Sequence, residues 1–140
     1  MLHSSDPREA FLNEIHTYQP LPDGPASHLY ELLSVREYNR KDALLAPGQV
    51  NHRLYFVHTG LVRGYHLQPN EQGVDEKSTS QFASDSHFVI SPPSFLKQLP
   101  SQEGFEALED TVLVSLSYQD LQALFEAHPT ARSLTRMITE

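Results

Sequence analysis

The chain has 140 residues, no cysteine, and ten Lys and Arg against eighteen Asp and Glu, a net charge of −8. That length fits one domain, the missing cysteine excludes disulfides, thiol catalysis, Fe–S clusters and cysteine zinc sites, and the acidic balance argues against this chain alone binding nucleic acid. No apolar stretch approaches the length of a membrane span, and Met1 to Asp6 lack the basic flank and apolar run of a signal peptide, so a cytoplasmic location with no membrane partner is expected.

In chain order, Asp6-Pro7-Arg8-Glu9 gives an N-cap, a proline at the first helical position and an early acid, followed by Phe11, Leu12, Ile15 and Tyr18 on one helical face. This predicts a first helix, broken by Pro20, Pro22, Gly24 and Pro25. Ala26, Leu29, Tyr30 and Leu33 restart the 3.6-residue period and predict a second helix over about 25–34, passing into a strand at Val35 to Tyr38. From there to Leu116 the apolar runs are short and turn residues frequent, which suits an all-β roll better than alternating strands and helices.

Within the roll, the turn Pro47-Gly48 feeds the apolar run Leu54 to Val57, and Gly60 reverses the chain into a strand over Leu61 to Leu67. Gln68 to Gly73 is a hairpin tip before a more polar strand, Val74 to Phe82. Asp85-Ser86 turns the chain into Phe88-Val89-Ile90. Two prolines bar Ser91-Pro92-Pro93-Ser94 from a central strand, so a loop or short helix is expected through Phe95 to Leu99. Phe105, Ala107 and Glu109 alternate, and Val112 to Leu116 supplies the last strand. Ser117 with Asp120 caps a helix carrying Leu121, Leu124 and Phe125, and Pro129 starts a final helix with a face of Ala131, Leu134 and Ile138.

The run from Leu44 to Gly60, with Gly48 and Gly60 at the family's separation and the four apolar residues Leu54 to Val57 between them, resembles the first glycine-turn motif of the cyclic-nucleotide-binding domain found in Crp/Fnr-type bacterial regulators. Leu45 and Asn51 depart from that pattern, which has a smaller or branched residue at the first and a very small one at the second. Ala107-Leu108-Glu109-Asp110-Thr111 and the following strand and helix start look like the return strand and hinge-proximal helix of the same family. The resemblance implies a mainly β fold, a double-stranded β-helix or jelly roll with flanking helices, forming one domain over residues 1–140: N-terminal helices over 1–34, the β-roll over 35–116, and C-terminal helices over 117–140 that begin a dimerisation helix. It further implies a helix-turn-helix output domain after the sensor; since the sequence stops at Glu140, that domain was either cut away or never present.

The family holds a cyclic phosphate with a Gly-Glu pair near a short helix and an Arg-Ser or Arg-Thr about ten residues on. Aligned from Ala107, these positions fall on Ile90-Ser91 and Ser101, and none matches. Between Phe88 and Thr111 the single cation Lys97 faces Glu103, Glu106, Glu109 and Asp110, a net −3 where a phosphate would sit. A degenerate pocket is therefore expected, with Ile90, Ser91, Ser101, Gln102 and Glu103 as candidate contacts for a small-molecule effector of unknown identity; alternatively these hydroxyls and amides satisfy loop backbone. Arg63, the one charged residue sharing a strand face with Leu61, Tyr65 and Leu67, is either an anion-recognising arginine inside the roll or half of an ion pair with Glu106 or Glu109.

His52, His58, His66 and His87 fall in the roll, and cupin enzymes mount a metal on histidines in a similar roll, so a cupin-like metal enzyme is the competing class. The His-x-His signature with a following glutamate is missing. No phosphate loop, nucleophile elbow or dinucleotide fingerprint occurs either. The expectation is a non-catalytic sensor domain of a transcription regulator, without cofactor or metal, with the final helical stripe packed either on its own roll or on a twin in a homodimer.

Overall fold

The computed structural model describes residues 6–139; Met1 to Ser5, part of the segment read for a signal peptide, and Glu140 lie outside them. Helix α1 spans Pro7–Tyr18, capped by the Asp6 carboxylate, which accepts the Arg8 N–H at 2.9 Å. The same carboxylate accepts the Tyr30 hydroxyl at 2.5 Å and so ties α1 to α2, Asp23–Leu32. Helix α2 starts two residues before the expected Pro25 and ends before Ser34, because Leu33 already takes extended dihedrals and Ser34 opens the first strand.

Eight strands follow: β1 Ser34–Tyr38, β2 Ala43–Leu45, β3 Arg53–Thr59, β4 Val62–Pro69, β5 Asp75–Ala83, β6 Phe88–Val89, β7 Gly104–Ala107 and β8 Thr111–Ser117. They form two antiparallel four-stranded sheets, in the orders β1-β8-β3-β6 and β2-β7-β4-β5. Alternation along β3 and β8 sorts their side chains between two cores. Leu54, Phe56, Val114 and Leu116 pack outward against the helices, while Tyr55, Val57 and Leu113 meet Val62 and Phe105 of the other sheet. In the helical core the Phe11, Phe56 and Phe88 rings touch pairwise at centroid distances of 5.1 to 5.6 Å, and each aromatic so buried contributes roughly 1.5–3 kcal/mol.

Helix α3, Pro92–Lys97, forms in the expected loop between β6 and β7. Helix α4, Tyr118–Ala127, is capped by Ser117, whose hydroxyl accepts the Asp120 N–H at 3.0 Å. The final segment is a 3-10 turn at Pro129–Ser133 followed by α5, Leu134–Thr139, rather than one helix. Ala131, Leu134 and Ile138 are buried in the same cluster as Phe11, Phe56 and Phe125, so of the two uses left open for this stripe the structure shows packing on the chain's own roll. Strands β3 and β4, consecutive in sequence, lie in different sheets, which separates His58 from His66. Among the described residues no helix is long and apolar enough to cross a membrane.

Gly60 makes the reversal between β3 and β4 possible. Its φ is +119°, and a Cβ there would lie 2.3 Å from Thr111 Oγ1 and 2.7 Å from Thr111 Cα. Replacing Gly60 with alanine is expected to cost about 2–4 kcal/mol from combined backbone strain and overlap, read as a lowered denaturant midpoint with an unchanged slope. A loss below about 0.5 kcal/mol would mean that the turn relaxes freely.

Candidate functional site

The segment between β6 and β7 encloses a cavity of about 490 Å³. Helix α3 forms its roof, Pro100 to Glu103 one wall, and His66 of β4 the other. Helix α3 begins with Pro92 and Pro93, which carry no N–H, so two of the donors that a helix start normally offers an anion are absent there. Of the amides that remain at this start, that of Ser91 donates to Asn51 Oδ1 at 2.9 Å.

Asn51 is 1% exposed and staples this segment to the start of β3. Besides accepting the Ser91 amide, it donates through Nδ2 to Arg53 O at 2.8 Å and through its backbone N–H to Ser94 Oγ at 2.9 Å. Ser94 Oγ in turn donates to Leu99 O at 2.5 Å, closing α3 on itself. Ser101, buried, donates to Glu103 O at 2.8 Å and accepts the Glu103 N–H at 3.0 Å, with Ser91 Oγ 3.3 Å away. The buried hydroxyls are thus shared between loop backbone and cavity.

Glu103 is fixed from the neighbouring sheet. A bulge opposite Gly64 and Tyr65 inserts Ser80 as an extra residue in β5, so the Ser80 hydroxyl and Gln81 Nε2, the latter at 3.0 Å, both donate to Glu103 Oε2. Gly64 leaves the room: a Cβ on it would stand 2.6 Å from Glu103 Oε2 and 2.8 Å from Gln81 Cγ. Lys97 and Glu103 are the lining residues with fixed charge, one of each sign, and Pro92, Pro93, Leu99 and Pro100 supply apolar surface. Such a lining suits a small, polar, uncharged or zwitterionic molecule. Among the described residues no group of three or more His, Asp or Glu is arranged to hold a metal ion.

Of the six residues expected from sequence, Ser91, Ser101, Gln102 and Glu103 line the cavity together. Arg63 and Ile90 do not. Val62 pairs with the buried Ala83 and Ala107, which puts its neighbour Arg63 on the opposite, outer face of the sheet, opposite Phe82, which is 64% exposed. There Arg63 Nε donates to Glu106 Oε1 at 2.7 Å, Nη1 donates to Thr79 Oγ1 at 3.0 Å, and Lys77 Nζ donates to Glu106 Oε2 at 2.8 Å. Ile90 turns the other way, against the helical core. Sequence reasoning missed Gly64, Ser80, Gln81 and His66 as parts of the site. A glycine in mid-strand is a signal of close approach; the β5 bulge left none.

A family model described as the cyclic nucleotide-binding domain matches residues 35–128. The chain is similar to the cAMP-dependent protein kinase regulatory subunit of Candida albicans, at 26% identity over 118 residues, 83% of this chain and 23% of that protein, so it spans about a quarter of that relative's length. It shares its fold with the N-terminal domain of a transcriptional regulator from Streptomyces coelicolor, at 23% identity and TM-score 0.70 over 91% of this chain and 86% of that one. A cyclic nucleotide-binding domain from Methylobacillus flagellatus superposes with TM-score 0.78 at 20% identity, over 94% and 74% of the two chains. The sensor domain of a Pseudomonas aeruginosa transcriptional regulator does so with TM-score 0.70 at 15% identity, over 94% and 88%.

The outer-face ion cluster predicts acid sensitivity. Burial pushes the Glu106 carboxyl up, but hydrogen bonds from Lys77 and Arg63 outweigh it and hold the group below its ordinary 4.5. A carboxyl lowered on folding stabilises above its unfolded value, and that contribution is lost as pH falls through the folded one. Glu106→Gln is therefore expected to lower stability by roughly 1–3 kcal/mol at pH 7 and to flatten the fall in stability below about pH 4.5. Parallel pH profiles for the two proteins would contradict this.

Proposed function

Because this chain belongs to the cyclic nucleotide-binding domain family, we propose that it is a non-catalytic sensor domain of a Crp/Fnr-like transcription regulator whose pocket no longer takes a cyclic nucleotide. The whole of residues 1–140 acts as one unit, with helices over 1–34 and 117–140 flanking the roll over 35–116, and reads a small polar effector through Ser91, Ser101, Gln102 and Glu103. DNA contact falls to an output module not contained in this chain, since its charge of −8 disfavours phosphate backbones. A homodimer would have to use a surface other than the inward stripe Ala131, Leu134 and Ile138.

The observation that carries this reading is the internal use of the phosphate-binding groups. The Ser91 amide is taken by Asn51, two prolines open the helix, and Ser101, which the sequence alignment sets against the family's arginine, is bonded to Glu103. A phosphate entering this cavity would lose its hydration and meet a lining whose one fixed positive charge, Lys97, is matched by the carboxylate of Glu103.

Ligand-dependent thermal unfolding tests it. A ligand that binds the native state at a hundred times its dissociation constant adds about 2.7 kcal/mol, a shift of several degrees for a domain of this size. Cyclic AMP and cyclic GMP at about 1 mM are expected to leave the midpoint in place, whereas uncharged or zwitterionic metabolites from a panel raise it, and Gln102→Ala with Glu103→Gln removes that rise. A raised midpoint with a cyclic nucleotide would refute the proposal, as would a panel hit insensitive to those substitutions.

A further inference from the structure

A second cleft, of about 440 Å³, opens between β3 and the turn that joins β2 to β3. It shares no lining residue with the cavity at α3. Pairing across β1, β8 and β3 aligns Ser34, Ser115 and Tyr55 in one row and puts Arg36 and Arg53 two positions to either side on the same face. Arg53 and Tyr55 line the cleft directly, with His52 at its rim, where Nδ1 lies 2.9 Å from Gln98 Oε1 of the α3 cap.

Two features of this arrangement bear on what the cleft could hold. The first is Tyr55: 94% of the residue is buried, while its hydroxyl meets solvent at the cleft and makes no hydrogen bond to another group among the described residues. A phenol so placed can donate to a molecule in the cleft. The second is the pair of arginines. In a chain with eighteen acids to ten bases, neither Arg36 nor Arg53 meets a carboxylate within 4 Å among the described residues, and Arg53 is held only by a long 3.3 Å contact from Nη1 to Ser115 Oγ. Arg36, itself exposed, lies over Tyr38, 5.8 Å from the ring centre, and acts electrostatically on Tyr55 together with Arg53.

We propose that this cleft is a binding site for a small anion bearing a carboxylate or phosphate, with Arg53 and Arg36 supplying the charge and the Tyr55 hydroxyl a directional donor. Guanidinium groups present paired N–H donors that match both oxyanions, and such charge-assisted bonds are about twice as strong as neutral ones. The donor role of Tyr55 requires a protonated phenol. Burial, reinforced by Tyr38 and opposed by Arg53 and Arg36, pushes it up to about 12, so it remains an O–H donor across the neutral range. The contact of His52 with Gln98 gives an occupant of the cleft a direct line to the loop that roofs the other cavity.

The test is a two-dimensional amide NMR titration of the full chain at constant ionic strength, with inorganic phosphate and, separately, succinate as probes. Saturable shifts are expected at Arg53, Tyr55 and Ser115, and the probe that produces them identifies the oxyanion. Arg53→Gln, at an exposed position and so compatible with folding, is expected to weaken binding at least about tenfold, Tyr55→Phe about threefold or more, and Lys97→Gln not at all. The absence of saturable shifts with both probes up to about 10 mM would overturn the assignment, as would binding unchanged by Arg53→Gln or abolished by Lys97→Gln.

Discussion

The candidate site depends on one buried amide side chain. Asn51 bridges the start of β3 and the segment that closes the roll, and it does so with both ends of its carboxamide and its own backbone N–H. Each bond is worth about 1 kcal/mol net, and leaving any of these buried groups without a partner costs more. The loop from Ser91 to Ser101 is therefore held in place without a ligand. In the family's glycine-turn motif this position takes a very small residue; here the larger side chain reaches the Ser91 amide.

The rest of the site follows from how the two sheets are built. Antiparallel pairing with strict alternation gives the first sheet two buried faces, one for the helices and one for its partner sheet. The cavity forms where the second sheet bulges, at Gly64 opposite Ser80 and Gln81, and the bulge aims two donors at Glu103. Arg63 and Glu106 sit one residue away on the opposite face, where their charges meet each other and Lys77 instead of a guest.

Much of this was legible in the sequence because it rests on local signals. The caps at Asp6 and Ser117, the Pro47-Gly48 turn, the reversal at Gly60 and the short apolar runs all act through neighbours in the chain, and the motif around Gly60 implied the roll. The four cavity residues from Ser91 to Glu103 followed from aligning one loop. What the sequence could not carry is parity. Whether Arg63 faces inward depends on the register of β4 against β5 and β7, and one residue decides it. The bulge at Ser80, the staple by Asn51 across forty residues to Ser91, and the facing of Tyr55 toward two arginines are products of pairing between distant segments.

We propose that the loop from Ser91 to Ser101 spends on itself the groups that the resembled family turns toward a phosphate. Isothermal calorimetry with cyclic AMP on the full chain, run beside a variant carrying Asn51→Gly and Ser101→Arg, addresses it most directly. No measurable affinity is expected for the parent protein at micromolar concentrations, and a gain of at least about tenfold for the variant, which frees the Ser91 amide and supplies a guanidinium. Micromolar binding by the parent protein would contradict it.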